Sequence, residues 1–470
     1  MGRKSFRIRS TCLPLKGQRV ETSEYNYKGS IMAKTRNTLS HLLLLCAALP
    51  LGAAFSHSAD AAEIRISWWG GNQRHEATLA AINAFQKANP TITVKAEYAG
   101  WDGYLSRLST QIAGGQEPDV MRIDWNWLPQ FSRNGDGFYD LNKQKDILGL
   151  GDFPPNALKT ADVKGKLQGL PISMTSRSMI YNKTTWDNAG VAYPKTWDEL
   201  FAAGPVFKQK LGDSYYPLGV AQGASDVLDI LTLGRSYMAQ KYGIDMIDEK
   251  KQSIAYSRDQ VRELFGFYKK LVDSHVIPDQ RYFSSFGRTN VYEIRPWING
   301  ELAGMYLWDS AIYTYSSNMP KDAVLETGPF ITMPGAKDSG LTSKPSSLFA
   351  ISKNSKHPKE AAMLMNFMLS NPEGVKALGL QNGMPANPKA QKLLEDIGVI
   401  NPGNLLANAY RAAAAQPESK VAVSPFMENQ ELVQLWTTSL QKLDYGNGEV
   451  NKVADDFLSG ANRILKRAIR

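Results

Sequence analysis

Between residues 63 and 123 short strand-like and helix-like patterns alternate, and nothing else in the chain restricts the fold as much. Glu63-Ile64-Arg65-Ile66-Ser67-Trp68-Trp69 alternates polar with apolar side chains and stops at Gly70-Gly71, which predicts a strand closed by a tight turn. Residues 75–88 place Ala77, Leu79, Ala80, Ile82, Ala84 and Phe85 at helical spacing, and Asn89-Pro90 ends that helix. Residues 91–98 alternate again, 103–113 read as a second helix, and 119–123 as a third strand. Strands and helices this closely interleaved require parallel pairing with crossover helices, an α/β layered architecture.

The same pattern continues. Thr196, with Glu199 three residues on, predicts a capped helix start. Residues 258–273 and 358–370 are helical by apolar spacing. Val453, Phe457, Ala461, Ile464, Leu465 and Ala468 form one stripe on a final helix. A strand over Pro217–Val220 is also expected. No period repeats and no long linker separates two halves, so the α/β chain is expected to form two lobes joined by several crossings.

The formal net charge of +9 suggests a basic protein, but its distribution removes that reading. The first 61 residues hold nine Lys/Arg against three Asp/Glu, leaving only +3 for the rest, so no nucleic-acid partner is expected. The leader accounts for the excess. From Met32, Lys34 and Arg36 precede an apolar run to Phe55, and Ala59 and Ala61 occupy the −3 and −1 positions of a cut after Ala61. That is the layout of a cleaved signal peptide over 32–61, which predicts export to the periplasm. A lipoprotein reading through Cys46 is disfavoured because apolar sequence continues beyond it. Residues 1–31 read as an upstream extension, with Met32 as the start. Both cysteines, Cys12 and Cys46, lie in this leader, so the exported part must be held by its core alone. About 400 residues can do that.

No nucleophile elbow, zinc helix, phosphate loop or paired-cysteine site is present, and Gly135-Asp136-Gly137 reads as a turn. No metal, cofactor or catalytic set is expected. Aromatic residues, however, recur beside polar groups at strand ends: Trp68-Trp69-Gly70-Gly71-Asn72-Gln73-Arg74-His75, Asp124-Trp125-Asn126-Trp127 and Tyr306-Leu307-Trp308-Asp309. In parallel α/β sheets ligands bind beyond the carboxyl ends of strands, so these loops should converge on one cleft. Flat rings beside amides and carboxylates suit a sugar, which has an apolar C–H face and a hydroxyl edge. Trp186, Trp197 and Trp436 read instead as core, and His275 and His357 as structural. His75 reads equally as a helix-start residue or a ligand contact.

Ser67-Trp68-Trp69-Gly70-Gly71, Gly114-Gly115-Gln116-Glu117-Pro118-Asp119-Val120, Ile180-Tyr181-Asn182-Lys183, Pro194-Lys195-Thr196-Trp197-Asp198-Glu199-Leu200, Asn299-Gly300-Glu301 and Lys356-His357-Pro358-Lys359-Glu360-Ala361-Ala362 resemble, in order, the extracellular solute-binding proteins of sugar ABC importers. The likeness covers residues 63–470. More narrowly, 67–75, Gly100-Trp101-Asp102-Gly103, 124–128, Gly135-Asp136-Gly137-Phe138-Tyr139-Asp140-Leu141 and Ile464-Leu465-Lys466-Arg467-Ala468 resemble the periplasmic oligogalacturonide-binding proteins of pectin-degrading bacteria.

The resemblance implies two lobes that close on a sugar: 63–174 plus 345–385, and 176–342 plus 386–470. The crossings would fall near Ser173–Ser178, Gly340–Ser347 and Met384–Asn387. It also implies a monomeric binding protein, not an enzyme, whose partners are an oligosaccharide and importer membrane subunits. A galacturonate carboxylate should be met by forked cationic donors. The candidates are Arg74, Arg177 (alternatively a hinge clamp on a backbone carbonyl) and Lys344 (alternatively solvated). The ligand-binding set is completed by Trp69, Asn72, His75, Trp125, Asn126, Gln222, Trp308, Asp309 and Ser346. A neutral oligosaccharide, a glycerol-phosphate-like ligand, or an exported pectin-degrading enzyme are the competing readings, with iron held by Tyr313 and Tyr315 more distant.

Overall fold

A computed structural model describes residues 62–101, 103–219, 227–287, 289–417, 419–421, 423–446 and 448–469. The leader and Gln222 lie outside the described residues. The opening alternation folds as expected: β1 (Ala62–Trp69), α1 (Asn72–Ala88), β2 (Ile92–Ala99), α2 (Tyr104–Ala113) and β3 (Val120–Ile123). β1 lies between β2 and β3 and is parallel to both. Its last four residues are all buried, as in a strand covered on both faces.

The fourth strand shows how the two lobes are tied together. β4 (Leu170–Asn182) begins with Leu170 and Ile172 in the core of the first lobe, which also holds Ile64, Phe85, Ile123, Phe349 and Met365. It ends with Met179 and Tyr181 in the core of the second lobe, beside Trp186, Trp197, Phe265, Trp436 and Phe457. Between these apolar ends lies the polar run Ser173-Met174-Thr175-Ser176-Arg177-Ser178. A strand that changes core at a polar midpoint buries little apolar surface there, which suits bending. A further cluster around Trp297, Leu302 and Leu406 packs on Ile180.

Four more strands complete the sheet. β5 (Gly304–Trp308) and β6 (Leu325–Thr327) pair antiparallel with the second half of β4. β7 (Ser343–Ile351) pairs with both β3 and β4, and β8 (Met384–Pro385) with β4. The main path is therefore β6-β4-β7-β3-β1-β2. At the polar midpoint Lys344 faces Thr175, Pro345 faces Met174, and Met384 also faces Met174, so three segments run side by side.

The second lobe is more helical than a simple continuation of the opening pattern. The expected strand at 217–220 is absent among the described residues: Leu218 and Gly219 donate singly to Val276 O and Gly304 O. Helices carry the lobe instead. α3 (Trp197–Leu211) opens on the Thr196/Glu199 capping box, and α5 (Arg258–Asp273) on a second box of Ser257 and Gln260; α4 (Val227–Tyr242) lies between them in the chain. α6 (Pro358–Ser370) covers the first lobe, while α7 (Gln430–Asp444) and α8 (Val450–Ala468) close the second. Trp186, Trp197 and Trp436 are all buried, as the sequence suggests. Truncating Trp186 to alanine would cost about 3–5 kcal/mol by emptying its site.

Candidate functional site

The carboxyl ends of β1, β2 and β3 and the start of β7 open on the same side of the sheet, and the charged groups line up across them. From the polar midpoint outward the order is Lys344 on β7, Arg122 and Asp124 at β3, Trp69 and Arg74 at β1, and Trp101 beyond β2.

At the inner end Lys344 is buried, and its ammonium donates to both carboxylate oxygens of Glu428 at 2.6 and 2.8 Å, with Asp124 Oδ1 at 3.7 Å. Burial opposes the charged lysine, but Asp124 and Glu428 outweigh it and hold its pKa above the ordinary value. Asp124 is pushed up by burial and by Glu428, against the pull of Lys344 and Arg122. Glu428 precedes α7 in the second lobe and also accepts from Asn126 Nδ2 at 2.9 Å, which leaves Asn126 Oδ1 without a hydrogen-bond partner.

Arg177 is likewise satisfied internally. It pairs with Asp229 of α4, donates to Tyr306 O at 3.3 Å, and lies 4.2 Å from the Trp308 ring centre. Lys344 sits 5.0 Å from the same ring. Two of the three candidate cations thus already have carboxylate partners within the protein. Arg177 takes the alternative role of hinge clamp, and Lys344 is neither free nor solvated, because both have carboxylates close by.

Arg74 differs. Its guanidinium donates to Gln381 O at 2.8 Å and to Trp69 O at 3.5 Å, and no carboxylate of the described residues pairs with it. Burial lowers its pKa to about 10. Beside it stands Arg122, which sequence reading missed. Arg122 is 4% exposed, donates to Asn382 Oδ1 at 2.7 Å, and lies 4.5 Å from the Trp69 ring centre. Its Nε has no hydrogen-bond partner, and it too has no carboxylate in ion-pair contact. Burial, then Arg74, hold its pKa well below the usual arginine value. The other buried cations, Arg177, Arg235 and Lys344, each have a carboxylate. Asp124 acts on Arg122 only from a distance and is shared with Lys344, so two adjacent guanidiniums without an ion-pair partner form a site of excess positive charge, which an anion would neutralise. The signal for Arg122 was available, since it is a charge inside the otherwise apolar Val120-Met121-Arg122-Ile123. Glu428, distant in sequence from Lys344 and Asn126, carried none.

The remaining predicted residues take quieter places. Trp69 is buried against Tyr104, Trp127 and Trp101, and Trp125 gives its Nε1–H to Thr160 O. Trp69 holds the Arg122 guanidinium and Trp125 a backbone carbonyl, so Trp69 offers no open ring face, while the half-buried Trp308 has Arg177 and Lys344 near its ring. His75, inside α1, accepts from Trp68 Nε1 at 3.1 Å, and Asn72 is exposed at the helix start. Ser346 Oγ meets Ser173 Oγ at the three-segment midpoint. Asp309 is fully buried there, accepting from Thr175 Oγ1 at 2.6 Å and Ser176 N at 3.2 Å. A separate concavity of about 400 Å³, between Trp197, Tyr237, Phe267 and Pro334 of the second lobe, shares no residue with this line.

Residues 71–375 match the profile described as bacterial extracellular solute-binding protein. The chain belongs to that family. A solved periplasmic oligogalacturonide-binding protein from Yersinia enterocolitica, in complex with saturated digalacturonic acid, is 50% identical over 87% of this chain and 100% of its own, with a TM-score of 0.82. The sugar-binding protein MalE of Xanthomonas citri, 20% identical with a TM-score of 0.68 over 86% of this chain and 98% of its own, shares the fold. A Brucella abortus binding protein is 27% identical over 88% of this chain and 96% of its length. The two-lobed α/β fold and the solute-binding family of sugar ABC importers expected from the sequence are both met in these relatives.

Proposed function

We propose that this chain is a periplasmic, monomeric binding protein that takes up acidic oligosaccharides, oligogalacturonides from pectin, and presents them to the membrane subunits of an ABC importer by closing its lobes. It makes and breaks no bond. The observation that carries this reading is the Arg74–Arg122 pair. A uronate carboxylate supplies the ion-pair partner that no described side chain gives those guanidiniums, through forked charge-assisted hydrogen bonds. The Yersinia relative, solved with digalacturonic acid, supports the same ligand class. Asn72, Asn126 and Ser346 are the amide and hydroxyl groups suited to sugar hydroxyls. Lys344 and Arg177, already paired, hold the cleft's inner wall.

Closure would turn binding into a shape that the importer reads, since the ligand favours whichever lobe arrangement it contacts on both sides. Calorimetric titration of the mature protein with digalacturonate and with maltose tests the reading. Binding of the acidic sugar alone is expected, with Arg74→Ala and Arg122→Ala each weakening it tens- to thousands-fold, the usual effect of removing one arm of a desolvated charge pair. Binding of maltose but not digalacturonate would discard the acidic ligand and leave the neutral-sugar alternative.

A further inference from the structure

Trp101 is 51% exposed, the most exposed large apolar side chain among the described residues. An isolated exposed indole needs no explanation. This one is fixed in place and continuous with the charged line. One face stacks on Trp127 (ring centres 5.8 Å apart, planes 28° from parallel), and its edge meets Trp69 at 5.2 Å. Trp127 and Trp69 are both buried, and Trp69 carries the Arg122 guanidinium. The turn holding Trp101 is closed by a hydrogen bond from Tyr104 N to Trp101 O, with Gly103 at φ +76, a left-handed conformation that favours glycine.

The position matters as much as the rigidity. β2 is the edge strand of the first lobe, so Trp101 stands at the outer rim of the line that begins at Lys344. Two strand spacings, roughly 10 Å, separate β3 from β2, more than one pyranose ring spans. We propose that Trp101 is a stacking platform for a further ring of a uronic-acid oligosaccharide whose carboxylate is anchored at Arg74 and Arg122. The inference rests on the acidic-oligosaccharide reading above and extends it to chain length. The exposed indole face takes the C–H face of the ring, and the carboxylate and hydroxyls stay at the edge, in water.

Calorimetry with galacturonate and with di- and trigalacturonate on the mature protein and on Trp101→Ala tests it. In the wild type the longer sugars are expected to bind about two- to tenfold more tightly than the single sugar, the size of an aromatic stacking gain. In Trp101→Ala that ratio falls towards one, and Trp101→Phe restores part of it. An unchanged ratio in Trp101→Ala, equal weakening at every length, or no gain with length in the wild type would each overturn the platform. If galacturonates of no length bind the wild type, the acidic-ligand reading fails first, and the platform fails with it.

Discussion

Arg122 is a residue whose place in the fold costs stability, and the proposed binding of a carboxylate is what that cost would serve. A guanidinium with lowered pKa and no carboxylate in ion-pair contact is an unfavourable group to bury, and Asn382, the Trp69 ring and the more distant charge of Asp124 soften that cost. Exchanging buried charges for apolar groups of similar volume is often neutral or stabilising. Arg122→Met should therefore melt no lower than the wild type when ligand-free, yet lose the rise in melting temperature that digalacturonate gives. A ligand at a hundred times its dissociation constant contributes about 2.7 kcal/mol, enough to be seen by calorimetric melting. A ligand-free variant that melts several degrees lower would show that Arg122 is a structural residue.

Among the elements, the short turn before α7 ties together the two sides of the line of charged groups. It brings Glu428 from the second lobe onto Lys344 and Asn126 of the first. Breaking such a pair by removing one partner leaves the other charge buried, at a cost of about 3–5 kcal/mol. Glu428→Gln should lower the melting temperature, and Glu428→Gln with Lys344→Met should recover most of the loss. Additive losses in that double-mutant cycle would mean the two side chains do not act together. These elements also show what the sequence could reveal. The strand–helix alternation of 63–123, the Thr196 capping box and the α8 stripe were legible because each is written in residues a few positions apart. Lys344–Glu428, Arg177–Asp229 and Arg122–Asn382 join residues 84, 52 and 260 positions apart, and no local pattern encodes such pairings. Trp69, read from the sequence as a stacking face, is covered for a related reason. Adjacency to polar residues in the chain does not say whether a ring face will be open or covered by an arginine from elsewhere.

At the scale of the whole molecule the polar midpoint of β4 joins the lobes, and a buried carboxyl sits against it. Asp309 follows β5, accepts from Thr175 and Ser176 at the midpoint, and has no cation paired with it among the described residues. Burial raises its pKa to about 7, against the opposing pull of those hydrogen bonds. An unfolded aspartate titrates near 3.9, so the folded protein holds this proton more tightly than the unfolded chain. The resulting stabilisation is complete below about pH 4 and is lost as pH rises towards 7. Asp124, also raised by burial, adds a slope of the same sign. Melting temperature should therefore fall across pH 4–7 by more in the wild type than in Asp309→Asn, where the amide oxygen can still accept from Thr175 and nothing titrates. Because this group lies where the lobes meet, the same series repeated with bound digalacturonate should show whether the proton also favours closure. A ligand affinity that changes with pH in the wild type but not in Asp309→Asn would link protonation to closure. Parallel melting profiles for the two proteins would mean that Asp309 holds no proton in this pH range, and the hinge would then be insensitive to pH through this residue.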